Sequence, residues 1–180
     1  VIKGIERMLY MIQTGFIEII KDQADRALWS VRNVIECIPD VMWDKLYCDM
    51  PLWKHVYHML HSLDAWYINP GKYQEPFFHE KDLNNLDVRT GKRLPRELLT
   101  NYFHTVETKI REYNNNLTED ILLEKPEGSE WTRFALIVGQ HRHLHSHMGM
   151  IMGFIIAETG MWPRVIGLEG EIPNGYSQFF

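Results

Sequence analysis

The stretch from about residue 130 to 159 constrains the fold most. It reads as one long helix, with Ser129 as a good N-cap and Gly160 fitting its C-terminal cap. Its longest apolar run, Met148 to Ala157, is too short to cross a bilayer, which takes ~20 residues. A helix of this kind must cover its apolar surface with other helices. Its middle carries four imidazoles within seven residues, at His141, His143, His145 and His147.

Residues four apart on a helix share a face, with Cβ atoms roughly 5–6 Å apart, so two imidazoles at that spacing reach one ion. Two such pairs are present, His141 with His145 and His143 with His147. A step of two residues turns about 200° around the helix, so the pairs point to nearly opposite sides and at most one pair faces the core. Periodicity leaves the choice open. One face continues through Leu136, Gln140, Met150 and Phe154, the other through Phe134, Val138, Met152 and Ile155.

A second group, His55, His58 and His61, lies upstream on another helical stretch, again close to one face. Any of the three fits as a third ligand from across a bundle. Three imidazoles plus open positions suit Zn²⁺, Ni²⁺ or Fe²⁺. A lone helical His is most often a surface or hydrogen-bonded core residue; the second cluster is what favours a metal. The His-Glu-x-x-His protease motif is excluded, because Leu144 or Arg142 stands where its Glu would be. The di-iron pattern fails for lack of a Glu three residues before any His of the last helix. There is no Gly-rich phosphate loop and no Gly-x-Ser-x-Gly elbow.

The rest of the chain supplies the partner helices. Residues 3–38 read as helix through Ile5, Met8, Leu9, Ile12, Phe16, Ile19 and Ile20, then Ala24, Leu28, Val31, Ile35 and Ile38, with a break left open at Gly15 and Lys21-Asp22-Gln23. A second helix runs to about Ile68, with Asp49 as N-cap and Pro51 in its first turn, and stops before Asn69-Pro70-Gly71. Residues 69–94 form a long irregular connection whose Tyr73, Phe77 and Phe78 suit a lid. A third helix spans about 95–116. A brief helical turn starts at Thr118, and the tail from Met161 is irregular but rich in aromatic residues that suggest docking on this bundle or on a second subunit. No strand alternation is evident. The expectation is an all-α four-helix bundle forming a single domain over 1–180, with a long connection between helices 2 and 3.

The 180 residues carry a formal net charge of −5, which argues against nucleic-acid binding. The first residues do not read as a signal peptide and no membrane span is expected. Cys37 and Cys48 read as reduced thiols, in keeping with a cytoplasmic protein.

The stretch Trp53-Lys54-His55-Val56-Tyr57-His58-Met59-Leu60, followed by Leu63-Asp64-Ala65-Trp66-Tyr67, resembles the second helix of the DinB-like (damage-inducible) metalloenzyme family. Arg142-His143-Leu144-His145-Ser146-His147-Met148-Gly149 is similar to that family's last-helix Arg-His-x-x-x-His-x-Gly pattern. Layout resembles the family over most of the chain; the specific likeness is confined to these two stretches. The resemblance implies metal ligands at His58, His143 and His147, with His61 as the alternative to His58. His55, His141 and His145 become outward or supporting residues, and Asp64 an orienting group. Ser146 stands where many relatives have His, and Met150 where many have Gln; neither is an implied ligand.

The resemblance also implies an up-down-down-up bundle, often a homodimer. It implies a metal-dependent enzyme for a small-molecule substrate, with thiol S-transferase-like chemistry that uses a low-molecular-weight thiol. The competing expectations are a non-catalytic metal-binding or stress-response bundle, whose site would be closed by a fourth ligand, and a helical interaction protein with no metal.

Overall fold

The computed structural model describes residues 15–180. The expected stripe residues Ile5, Met8, Leu9 and Ile12 lie outside the described residues. Four long helices follow: α1 (Phe16–Glu36), α2 (Leu52–Trp66), α3 (Arg96–Asn115) and α4 (Arg133–Thr159). The expected all-α bundle is observed. Each helix packs along two neighbours: α1 against α3 and α4, and α2 against α3 and α4. α1 and α2 are therefore diagonal to one another. No helix among the described residues is long and apolar enough to cross a membrane.

The buried face of α1 is Ile17, Ile20, Ala24, Ala27, Leu28, Val31, Val34 and Ile35, a stripe at three- and four-residue spacing. The polar Lys21-Asp22-Gln23 lies inside this helix on its wetter side and makes no break. Phe16 and Ile19, expected in the stripe, are 64% and 48% exposed. Ile17 is buried instead. The backbone amide of Phe16 donates to Glu119 Oε1 (3.0 Å), so a distant carboxylate satisfies the start of this helix.

α2 starts differently from the expectation. Asp49 is no N-cap. Cys48 and Asp49, with φ of 49° and 65°, form the two-residue turn of a minimal hairpin, β1 (Leu46–Tyr47) and β2 (Met50–Pro51). Pro51 occupies the cap position without a side-chain bond. The first amides of the helix, at Leu52 and Trp53, donate instead to the carbonyls of Lys45 and Trp43, both at 3.0 Å. α4 starts at Arg133 and not near Ser129. Thr132 is its cap, accepting from the Ala135 amide (3.2 Å), while Ser129 closes a local turn with Trp131. Gly160 ends α4 as expected, at φ 71°.

The connection between α2 and α3 is long and irregular, with a single 3-10 turn at Pro70–Lys72. It is packed rather than loose. Phe78, Leu83 and Leu94 are buried. The tail docks on its own bundle. Asn33 of α1, fully buried, donates to the carbonyls of Arg164 and Gln178 and accepts from the Gln178 amide, all within 2.9 Å. Tyr176 stacks on Trp29 and lies under the Arg32 guanidinium.

Candidate metal centre

The buried line of α4 is Ile137, Leu144, Met148, Ile151 and Ile155. At about 100° per residue this line falls between the two His pairs. Neither pair lies on the centre of the core face; each flanks it. His143 and His147 flank it on the side of α2. His141 flanks it on the other side, its ring centroid 6.2 Å from that of Tyr67. His145 is exposed, its Nδ1 donating to the His141 carbonyl at 2.7 Å.

His58, on α2, meets His143 and His147. The ring centroids are 5.5 Å apart for His58 and His143, 4.5 Å for His58 and His147, and 4.4 Å for His143 and His147. Each residue offers one donor atom, and the three donor atoms lie within 4.8 Å of one another. All three side chains are partly buried. Three imidazoles converging from two helices form a group that could hold a divalent metal.

The tautomer of His58 follows from its partner. Its Nδ1 lies 2.7 Å from the Asn84 carbonyl, which only accepts. The proton therefore sits on Nδ1 and leaves a lone pair on Nε2. A backbone carbonyl behind the ring is the usual support for a metal-binding imidazole. Nδ1 of His143 and Nδ1 of His147 are buried, with no hydrogen-bond partner among the described residues. Orphaned buried nitrogens carry a desolvation cost, and the donor set fits a cation that would relieve it.

Electrostatics favour neutral rings here. Burial, then the nearby His58, lowers the pKa of His143 from its ordinary value. Burial first, then His58, His143 and His55, lowers His147 to about 4. Near neutral pH both rings present lone pairs and no protons that a metal would have to displace.

His61, the alternative third ligand, does not join this set. It turns toward the α2–α3 connection, where its Nε2 lies 2.7 Å from Glu75 Oε2. His55 is not outward. It is 2% exposed, with Nε2 donating to the Tyr47 carbonyl at 2.8 Å, and pins the hairpin to α2. Asp64 orients residues other than the metal set: it accepts from the Tyr102 hydroxyl and from Lys109, both at 2.9 Å. Of the three aromatics suited to a lid, Phe77 is 92% exposed, Phe78 is buried against Tyr57 and Tyr102, and Tyr73 meets the His61 ring edge-on.

Sequence reasoning missed Glu75, His79 and Asn84, which the connection brings against α2. The available signal was the i, i+4 spacing of Glu75 and His79 around Pro76, within the long connection whose aromatics suit a lid. Cys37 is buried and Cys48 exposed, and neither is bonded to another cysteine.

Comparison of the chain with family models, with curated proteins and with solved structures finds no match.

Proposed function

We propose that the chain is a metal-dependent enzyme of the DinB-like type that acts on a small molecule by thiol S-transferase-like chemistry. The observation that carries the metal half of this reading is the convergence of His58, His143 and His147, donor atoms within 4.8 Å, with two buried nitrogens that have no partner among the described residues. Zn²⁺, Ni²⁺ and Fe²⁺ all suit three imidazoles, and three protein ligands leave a position for an exogenous one. A metal there would lower the pKa of a bound low-molecular-weight thiol, so that its sulfur is a thiolate near neutral pH. The protein's own contribution is to hold three neutral rings in place, through Asn84 behind His58 and through the packing of α2 on α4. The resemblance in the two His-bearing stretches supports the thiol chemistry. The same resemblance supports an up-down-down-up order and a homodimer, and the reading of Cys37 and Cys48 as reduced thiols supports a cytoplasmic setting.

The second reading is a non-catalytic metal-binding or stress-response bundle. It requires a closed coordination shell, and His61, the fourth ligand that would favour it, is engaged with Glu75 instead.

Two measurements test the proposal. Metal content of protein reconstituted with Zn²⁺, Ni²⁺ or Fe²⁺ is compared with that of a His143→Ala, His147→Ala variant. Thioether formation from glutathione or L-cysteine and monobromobimane is then followed with each. The expected result is a rate above the uncatalysed one that disappears in the variant together with one equivalent of metal. Metal binding without any rate above background would leave the non-catalytic reading.

A further inference from the structure

One helical turn beyond His58, the same helix carries His61, which joins residues of the α2–α3 connection in a second cluster that the centre above does not use. His61 is 7% exposed. Its Nε2 lies 2.7 Å from Glu75 Oε2. The same carboxylate oxygen accepts from the Tyr73 hydroxyl at 3.2 Å and lies 3.6 Å from His79 Nδ1. The rings of His61 and His79 stack with centroids 5.0 Å apart. One donor atom from each of His61, Glu75 and His79 falls within 4.8 Å of the other two.

The three groups converge from two parts of the chain: His61 from α2, Glu75 and His79 from the connection that folds over it. The His61 and His79 side chains are 9% and 14% exposed, so both imidazoles are largely withdrawn from water. The hydroxyl of the buried Tyr57 lies 2.7 Å from His79 Nδ1, so a cation that takes this nitrogen takes it in exchange for the Tyr57 hydrogen bond. Two imidazoles beside one carboxylate are a donor set matched to a divalent cation.

We propose that His61, Glu75 and His79 form a second divalent-metal site, with two imidazoles and one carboxylate as ligands. Two nitrogens and one oxygen suit Zn²⁺ or Fe²⁺ and leave positions for water or substrate. The Glu75 side chain is about half exposed, which gives the ion a path from solvent. No ligand is shared with His58, His143 and His147, so the two sites fill independently. Asn84 backs both. Its carbonyl holds His58, and its side-chain amide donates to His61 Nδ1 at 3.2 Å. When a metal takes His61 Nε2, the ring proton moves to Nδ1. The Asn84 amide then serves by a half-turn that presents its oxygen as acceptor.

The test is a titration of metal-free protein with Co²⁺, followed by its visible absorption, and with Zn²⁺, followed by metal content after gel filtration. The parent binds two equivalents. A Glu75→Gln, His79→Gln variant binds one, and so does a His143→Ala, His147→Ala variant, with different Co²⁺ spectra. Asn84→Ala keeps its backbone carbonyl behind His58, so it weakens the second equivalent alone, by roughly 10–100-fold. Far-UV circular dichroism establishes that each variant is folded. Two equivalents retained by folded Glu75→Gln, His79→Gln protein, or no equivalent in the parent that depends on these residues, overturns the proposal. An equivalent lost only with Glu75 and His79 keeps this site even where the three-His centre fails.

Discussion

Acid should destabilise the metal-free protein through His141. Its ring is packed against Tyr67 beside Ala24, Ala27 and Leu28, and burial, then the neighbouring His145, lowers its pKa from 6.5 to about 4. The folded state thus refuses a proton that the unfolded chain accepts. Stability from this group is complete above its unfolded pKa and falls as pH drops toward the folded value. At about 1.4 kcal/mol per pH unit the full interval is worth ~3 kcal/mol. The ring is only partly buried, and solvent screening reduces this to about 1 kcal/mol between pH 7 and 5. His141→Leu removes the titrating group and leaves an apolar side chain in apolar surroundings. Urea unfolding of metal-free parent and variant at pH 7.5, 6 and 5 should show the parent losing about 1 kcal/mol more than the variant. A stability difference that is the same at all three pH values would refute the reasoning.

Other parts of the structure give further expectations. Asn33→Ala leaves the Arg164 carbonyl and the Gln178 amide of the tail without their partner, while the Gln178 carbonyl keeps the Arg164 amide; it should cost about 2 kcal/mol in urea unfolding, with cleavage of the tail by protease accelerated. Asp64→Ala strips the buried Tyr102 hydroxyl of its acceptor. It should cost about 2 kcal/mol by chemical unfolding, the share from Lys109 being small because that side chain is 46% exposed. With iodoacetamide at pH 8, Cys48 should be alkylated quickly and Cys37 only on unfolding, because burial pushes the Cys37 thiol up to about 11; mass spectrometry of the native protein counts the labels.

Much of the architecture was legible because the helices obey simple rules. Trp53, Val56, Tyr57, Leu60 and Leu63 repeat at helical spacing on α2, and all are buried. Gly160 marked the end of α4 because a left-handed cap needs no Cβ. The starts of α2 and α4 were misplaced for one reason. Their first amides are satisfied by distant backbone carbonyls, of Trp43 and Lys45 for α2 and of Leu122 and Glu124 for α4. Local cap propensity at Asp49 and Ser129 carries no information about those partners. Phe16 and Ile19 were misread because apolar residues surround that end of the helix on more than one side, so spacing alone could not fix the inward face.

The candidate site shows the same division. Spacing brought His143 together with His147, but it could not choose between the two pairs, since α4 is apolar nearly all round. The resemblance singled out His58, His143 and His147, and the structure brings those three together. Glu75, His79 and Asn84 were invisible to periodicity because they sit in irregular chain, where tertiary packing alone decides which side chains meet α2.

The most direct test of the central claim is anomalous diffraction from crystals grown with Zn²⁺. The account predicts a peak between His58, His143 and His147, with Zn–N distances of about 2.0–2.1 Å. Crystals saturated with Zn²⁺ that show no density among these three rings would contradict it.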